Sequence, residues 1–500
     1  MTAAPPAVRE SRRLLALVAL ALPTLLIAVD IAVMGVALPS IARALEPSAA
    51  QLLWIADSYN YLVACAMLTM GAVADRYGRR RTIIVCAAVF AVASAAGAFA
   101  PTATVLILAR AVMGVAGSAI MPASMALIGS LFTEEKSRVQ AMGAYMTVFL
   151  GGMAVAPFIG GLLLQHFWWG SVFLVGVPVM VVTMVAVPLL LPEGRSATAP
   201  RIDLVSAAQS IGAVLGLVHG LKTAVNDGVG VSVWLALAAG VVLAVMFVRR
   251  QRRLAEPLLD LALLGRPQVG RSLAALFLTA LVMGGSSLFL GLYLQEVQGL
   301  TPLQAAWWTL PQILLMIGAA NLGPLLYRRF AASRIVTVML LVMASGFVLY
   351  AFAPVSPVGR LLVATGAALA TFGVGAAYPL LMDAVIRTSP PERASAGAAL
   401  AQVSNELGIA LGLTLLGSLG TVVYRGLLGS SVGSDGPAAI SVVDGVQVAT
   451  ARGDDALLDL VRAAFTGAYN VVGLVGIVLV LTSLWLLRRG SATRVTAVRS

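Results

Sequence analysis

What this chain has little of narrows its class before any motif is read. Only 11% of its 500 residues are charged, against 60% hydrophobic. Soluble globular chains carry about 25% charged residues, so a soluble fold is excluded and a polytopic membrane protein indicated. The two cysteines, Cys65 and Cys86, lie inside apolar runs and read as small core residues, not as a disulfide or a thiolate metal site. The two histidines, His166 and His219, stand far apart, so no metal site is expected. No G-x-x-x-x-G-K-[ST] stretch is present, so no nucleotide-binding loop or other cofactor is expected. Lysine is nearly missing: of 33 basic residues, all but Lys136 and Lys222 are arginine. The net charge of +12 would suggest nucleic acid for a soluble chain. Here the arginines sit in short loops, so membrane topology accounts for them and no nucleic-acid partner is expected.

Long apolar runs are what the chain does have. Fourteen segments are near the roughly 20 residues that a membrane helix needs: about 14–39, 52–74, 82–100, 104–130, 140–165, 170–191, 205–223, 232–250, 269–294, 304–327, 334–353, 358–386, 397–420 and 467–487. The expected fold is therefore all-α and polytopic, with both termini cytoplasmic. The charge distribution supports this. Only Arg43, Lys222, Arg360, Arg425, Arg452 and Arg462 fall in loops assigned to the outer side, and Arg110 falls inside a segment. The remaining basic residues fall on the side that the positive-inside rule makes cytoplasmic. The tryptophans cluster near segment ends, as an aromatic belt requires. The polar N-terminus, 1–13, feeds a first helix that is expected to be retained, because no A-x-A cleavage site follows it.

The expected organisation is a six-helix bundle (14–191), two inserted helices with flanking loops (192–268), a second six-helix bundle (269–487) and a cytoplasmic C-terminus (488–500). A weak internal repeat supports the 6+2+6 division: Gly323–Phe330 (GPLLYRRF) closes the tenth segment as Gly71–Gly78 closes the second. Membrane proteins built of two halves with internal repeats, where they are transporters, bind substrate at the interface of the halves near the midplane. A long outer loop, 421–466, has a glycine- and serine-rich tip at Gly429–Gly436. Its end, Asp454–Phe465, has the spacing of a short amphipathic helix lying on the outer surface, with a solvated connector as the alternative.

The island Gly71–Arg81 (GAVADRYGRRR) separates the second and third segments. It resembles the loop between helices 2 and 3 of the major facilitator superfamily, G-x-L-a-D-R-x-G-R-[RK]. Gly71, Asp75, Arg76, Gly78, Arg79 and Arg80 match, and Val73 takes the Leu position. The resemblance implies that Asp75 engages a helix end and an arginine across the interface of the two halves, so holding one conformation. Without that role the island is a topogenic basic loop.

Charge inside a bilayer costs at least ~2.5–3.5 kcal/mol, so each intramembrane charge is a functional candidate. Asp30, in VDIAV…ALP, resembles the L-D-x-T-x-V-N-V-A-L-P pattern of fourteen-helix drug:proton antiporters, with Ala32, Val33 and Gly35 as departures. Loss of water disfavours the charged form of any carboxylate, which suits proton loading. Asp57, in WIADSY, resembles W-I-V-D-x-Y of the same pumps. Arg110 lies in a partial match to L-x-x-x-R-x-x-Q-G-x-G, with Met113 for Gln and Ala116 for Gly. Arginine cannot shed its charge, so Arg110 needs a carboxylate, and Asp30 and Asp57 are the candidates. Glu406, in NELG, is a second carboxylate expected to face Asp30 across the cavity. Asp383 is a weaker candidate that a helix-end contact explains equally well, and Glu296 reads as interfacial. Gly152, Ala156, Pro157, Gly160 and Gly161 resemble the antiporter signature g-x-x-x-G-P-x-x-G-G, which in that family marks exporters; ordinary small-residue helix packing is the plainer reading.

The resemblance spans the chain. It implies a monomeric multidrug efflux pump of a bacterial cytoplasmic membrane. Such a pump uses the proton gradient to export lipophilic, mainly cationic compounds. A narrow-specificity exporter or importer of the same fold is the alternative. A membrane sensor or scaffold without transport fits the intramembrane charges less well.

Overall fold

The structure is a computed structural model that describes residues 10–194, 203–226, 228, 230–254, 257, 261–327, 329–388, 394–432, 438 and 441–497. Among these residues there is no β-strand. Where no water reaches an apolar stretch, only a helix satisfies every backbone N–H and C=O within the segment. The helices are α1 (Glu10–Leu45), α2 (Ala49–Tyr77), α3 (Arg79–Ala98), α4 (Ala103–Leu131), α5 (Glu135–His166), α6 (Ser171–Leu174) and α7 (Gly176–Leu190). They continue with α8 (Leu204–Asn226), α9 (Val231–Gln251), α10 (Pro267–Leu292), α11 (Pro302–Tyr327), α12 (Ala332–Ala351), α13 (Pro357–Thr388), α14 (Ala394–Val432), α15 (Val442–Arg452) and α16 (Asp455–Ala497). Thirteen helical stretches among the described residues are long and apolar enough to cross a bilayer. The expected segment 52–74 lies in α2, which is 29 residues long but is not one of the thirteen.

The region expected as a long outer loop is mostly helix. α14 runs on to Val432, α15 follows, and α16 begins at Asp455 and continues for 43 residues. The stretch 454–465 is therefore not a separate surface helix: its turns are the start of the last long helix. Leu457, Val461, Ala464, Phe465 and Ala468 are buried along one stripe, and no breaker interrupts the helical spacing after Asp455. Phe465 stacks on Phe289 of α10 at 5.6 Å, and Tyr469 stacks on the same ring at 6.2 Å. Tyr424 of α14 donates its hydroxyl hydrogen to the carbonyl of Ala438. Of the Gly429–Gly436 tip, 429–432 end α14 and 433–436 lie outside the described residues.

The chain divides into two compact units, Met1–Ile211 and Gly212–Ser500, with the division inside α8. Their internal pairings repeat. In the first unit α1 packs on α5 and α7, α2 on α4, and α3 on α4 and α7. In the second, α10 packs on α14 and α16, α11 on α13, and α12 on α13 and α16. Glycine sets the register of both versions. A Cβ on Gly152 of α5 would lie 2.8 Å from the Leu25 carbonyl oxygen and 2.9 Å from Ala28 Cβ. A Cβ on Gly408 of α14 would lie 2.5 Å from the Phe277 carbonyl oxygen and 2.8 Å from Ala280 Cβ. α4 and α13 also match, each carrying one internal proline, Pro122 and Pro379. On this register Asp30 corresponds to Val282, Arg110 to Ala367 and Glu406 to Leu150. The side chains of 323–325, 327 and 328, which carry the sequence repeat, lie outside the described residues.

Candidate functional site

In the first unit Asp30 and Arg110 meet. Asp30 sits in α1 and is 5% exposed; Arg110 sits in α4 and is fully buried. Arg110 Nη1 donates to Asp30 Oδ2 at 2.7 Å, and Nε donates to the Ile55 carbonyl of α2 at 3.4 Å. The guanidinium carbon lies 4.7 Å from the centre of the Tyr59 ring, a cation–π distance. Nη2 is buried without a hydrogen-bond partner among the described residues. The glycines of α4 make this possible: a Cβ on Gly114 would come within 2.6 Å of the Tyr59 carbonyl oxygen, and one on Gly117 within 2.9 Å of its hydroxyl. Without them α2 could not lie close enough for Tyr59 to floor the guanidinium. Three helices thus hold one ion pair in an apolar core, where breaking it by removing either partner costs about 3–5 kcal/mol. The side chain of Asp57, the other proposed partner, lies outside the described residues.

In the second unit Glu406 is held by neutral groups. The Tyr378 hydroxyl of α13 donates to Gln402 Oε1 at 3.0 Å, and Gln402 Nε2 donates to Glu406 Oε1 at 3.0 Å. Asp383 is elsewhere on α13. It pairs with Arg387 one turn later at 2.7 Å, with its side chain 42% exposed, in a helix-end ion pair.

The charged island is fastened within the first unit. Arg79 pairs with Asp75 at 2.8 Å. Gly78 breaks the chain between α2 and α3 with φ of +110°, a backbone region that L side chains rarely adopt. The α3 start has no side-chain cap of its own. Glu193, just after α7, supplies one: its Oε1 accepts from the Arg80 backbone N–H at 3.1 Å, and its carboxylate lies 3.7 Å from Arg80 Nε. Arg79 N–H donates to the Gly194 carbonyl, and Arg80 Nη1 to that of Leu191. An anion at a helix N-terminus is favourable, and a Cβ on Gly78 would lie 2.5 Å from Glu193 Oε1. Arg76 is exposed. Nothing lies within 4 Å of a Cβ built on Gly71.

A family profile described as Major Facilitator Superfamily matches residues 20–413. The chain belongs to the major facilitator superfamily. It is a membrane transporter, not an enzyme. It is 36% identical over 480 residues to the multidrug efflux pump LfrA of Mycolicibacterium smegmatis, covering 95% of each chain. It is 32% identical to the methyl viologen resistance protein SmvA of Salmonella typhimurium, covering 92% of this chain and 94% of that one. It is 31% identical to the puromycin resistance protein pur8 of Streptomyces alboniger, covering 87% and 86%. Among solved structures, a bacterial homolog of the human lysosomal transporter Spinster, inward-facing and occupied, shares the fold. Its TM-score is 0.64 at 17% identity, covering 97% of this chain and 98% of that one.

Within this superfamily fold, the glycine signature of α5 packs against α1. Gly152 meets Leu25 and Ala28, Ala156 is fully buried, and a Cβ on Gly160 would lie 2.5 Å from Val33 Cγ2. These contacts bracket Asp30 on the same helix and fix its depth. Pro157 lies inside α5, and Gly161 makes no such contact. Four polar partners escaped sequence reasoning: Tyr59, Glu193, Tyr378 and Gln402. Two of them left a signal: Tyr59 closes the match to W-I-V-D-x-Y, and Gln402 stands four residues before Glu406 on one helical face. Among the described residues no acidic, histidine or cysteine cluster fit for a metal ion occurs.

Proposed function

We propose that this transporter is a proton-coupled multidrug exporter of the cytoplasmic membrane, acting as a monomer on lipophilic, mainly cationic compounds. The Asp30–Arg110 pair carries the reading. Asp30 has only Arg110 as its charged partner among the described residues, so a proton on Asp30 removes the anion that neutralises a permanently charged guanidinium. The state with a protonated Asp30 therefore favours a different arrangement of α1 and α4 from the state with an ionised one. A ligand or proton that discriminates between two arrangements shifts their populations. Glu406 offers a second carboxylate to a proton or a cationic compound. Relatives named for multidrug efflux and for resistance to methyl viologen, a dication, support this substrate class. A relative named for a single antibiotic, puromycin, supports the narrower alternative.

The test uses inverted vesicles with an imposed proton gradient and follows ethidium uptake and lumenal pH together. Gradient-driven uptake with proton release, lost in Asp30→Asn and in Glu406→Gln, is the expected result. Uptake indifferent to both substitutions would overturn the residue assignment. Transport of one compound class only, with no cationic dye moved, would favour the narrow exporter.

A further inference from the structure

The second unit carries an open groove between α11 and α13 that the transport reading does not use. Its volume is about 440 Å³, and Trp307, Trp308, Pro311, Leu361, Ala364 and Ala368 line it. Trp307 is 60% exposed and Leu361 57% exposed. Arg360 stands at its end, with its guanidinium carbon 4.9 Å from the Trp308 ring centre. Arg360 Nε is buried and has no acceptor among the described residues. Both helices begin at this end, α11 at Pro302 and α13 at Pro357, and both contain stretches apolar enough to cross a bilayer. The groove runs from Arg360 to Ala368, about 12 Å along the helix at 1.5 Å per residue.

We propose that this groove binds an anionic phospholipid, its acyl chain lying along Trp307, Leu361, Ala364 and Ala368 and its phosphate accepting from Arg360. The polarity of the groove matches that of the lipid. Its polar end coincides with the helix ends, where headgroups lie, and its apolar length runs into the depth of the acyl chains. Arg360 is stacked on Trp308, which holds its planar donors in place for a phosphate oxygen. Its Nη groups, which unlike Nε are not closed off and donate to nothing among the described residues, are the donors that the phosphate meets. A cationic compound is disfavoured here, because it would have to sit beside a guanidinium that no carboxylate neutralises among the contacts seen at the groove. This site is therefore distinct in chemistry from the carboxylates proposed to meet exported cations.

The experiment reads tryptophan fluorescence of the full-length protein reconstituted with phospholipids whose acyl chains carry bromine, a short-range quencher. Phosphatidylglycerol and phosphatidylcholine are compared at equal mole fraction. Brominated phosphatidylglycerol is expected to quench the wild-type protein more strongly. That excess should be lost in Arg360→Gln, and also in Ala364→Phe, which fills the groove and leaves Arg360 in place. Size-exclusion profile and unfolding temperature show which variants are folded. If Arg360→Gln does not fold, Ala364→Phe carries the test alone. Equal quenching of the wild type by the two lipids would overturn the proposal. So would an excess that survives in either folded variant, or one produced by a free brominated fatty acid and not by phosphatidylglycerol.

Discussion

In the first unit Asp30 and Arg110 meet where the second unit has Val282 and Ala367, both buried. In the second unit Tyr378, Gln402 and Glu406 occupy positions that the first fills with Met121, Met146 and Leu150. The helix pairings are the same, and the same glycine spacing sets the closest crossings. The scaffold is repeated and the polar groups are not. An apolar pair therefore suffices to build the α10–α13 version of the crossing that α1 and α4 make around an ion pair. The charges of the first unit are not needed to form such a crossing, which is the physical argument for their being there to work. A buried ion pair is in any case weak evidence for stability, because desolvation offsets much of its attraction.

The strongest way to break this comparison is to give the first unit the residues of the second. Asp30→Asn alone strands a buried guanidinium and should destabilise the protein by about 3–5 kcal/mol, read as a fall in the unfolding temperature in detergent. Asp30→Val combined with Arg110→Ala should recover most of that stability while drug efflux stays lost. If the double variant is no more stable than the single, the pair is structural and the argument from the repeat fails. Next in size is Gly78→Ala. It forces a side chain into a φ of +110° and against Glu193, and should cost about 1–3 kcal/mol of stability. Glu193→Ala should reproduce part of that loss by uncapping α3, at about 1 kcal/mol.

The comparison is sharpened by the neutral site. Glu406→Gln keeps an acceptor for Gln402 and should change stability by under about 1 kcal/mol, yet abolish gradient-driven dye uptake in vesicles. The smallest effect is expected for Asp383→Asn. That carboxylate is 42% exposed beside Arg387, and an exposed i,i+4 pair contributes about 0.3–0.5 kcal/mol. Dye uptake by this variant should match the wild type, and a clear loss would return Asp383 to the candidate site.

Much of this was legible in the sequence because its cause is local. Apolar length dictates a helix wherever water is excluded, so the helices were expected where they lie, although α14 runs on to Val432 and α16 starts at Asp455, well outside the expected ends. Arg110 announced its need for a carboxylate, since it cannot lose its charge, and Asp30 was one of two named partners. The stretch 454–465 misled because an amphipathic pattern looks the same on a free surface helix and on the first turns of a long one. Only Phe289, stacked on Phe465 and Tyr469, distinguishes the two.

By itself the sequence determined the class, the existence of the long apolar helices, the charged island and the shortlist of intramembrane charges, because hydropathy and the cost of buried charge act residue by residue. The tertiary structure decided the partners: Arg110 with Asp30 over Tyr59, Glu406 with Gln402 and Tyr378, and Glu193 at the start of α3. Those pairings depend on which faces the glycines allow to approach, between residues as far apart as Arg80 and Glu193. Apart from Gln402, one turn from Glu406 on the same helix, such contacts are long-range and set by packing, and periodicity along the chain carries no record of them.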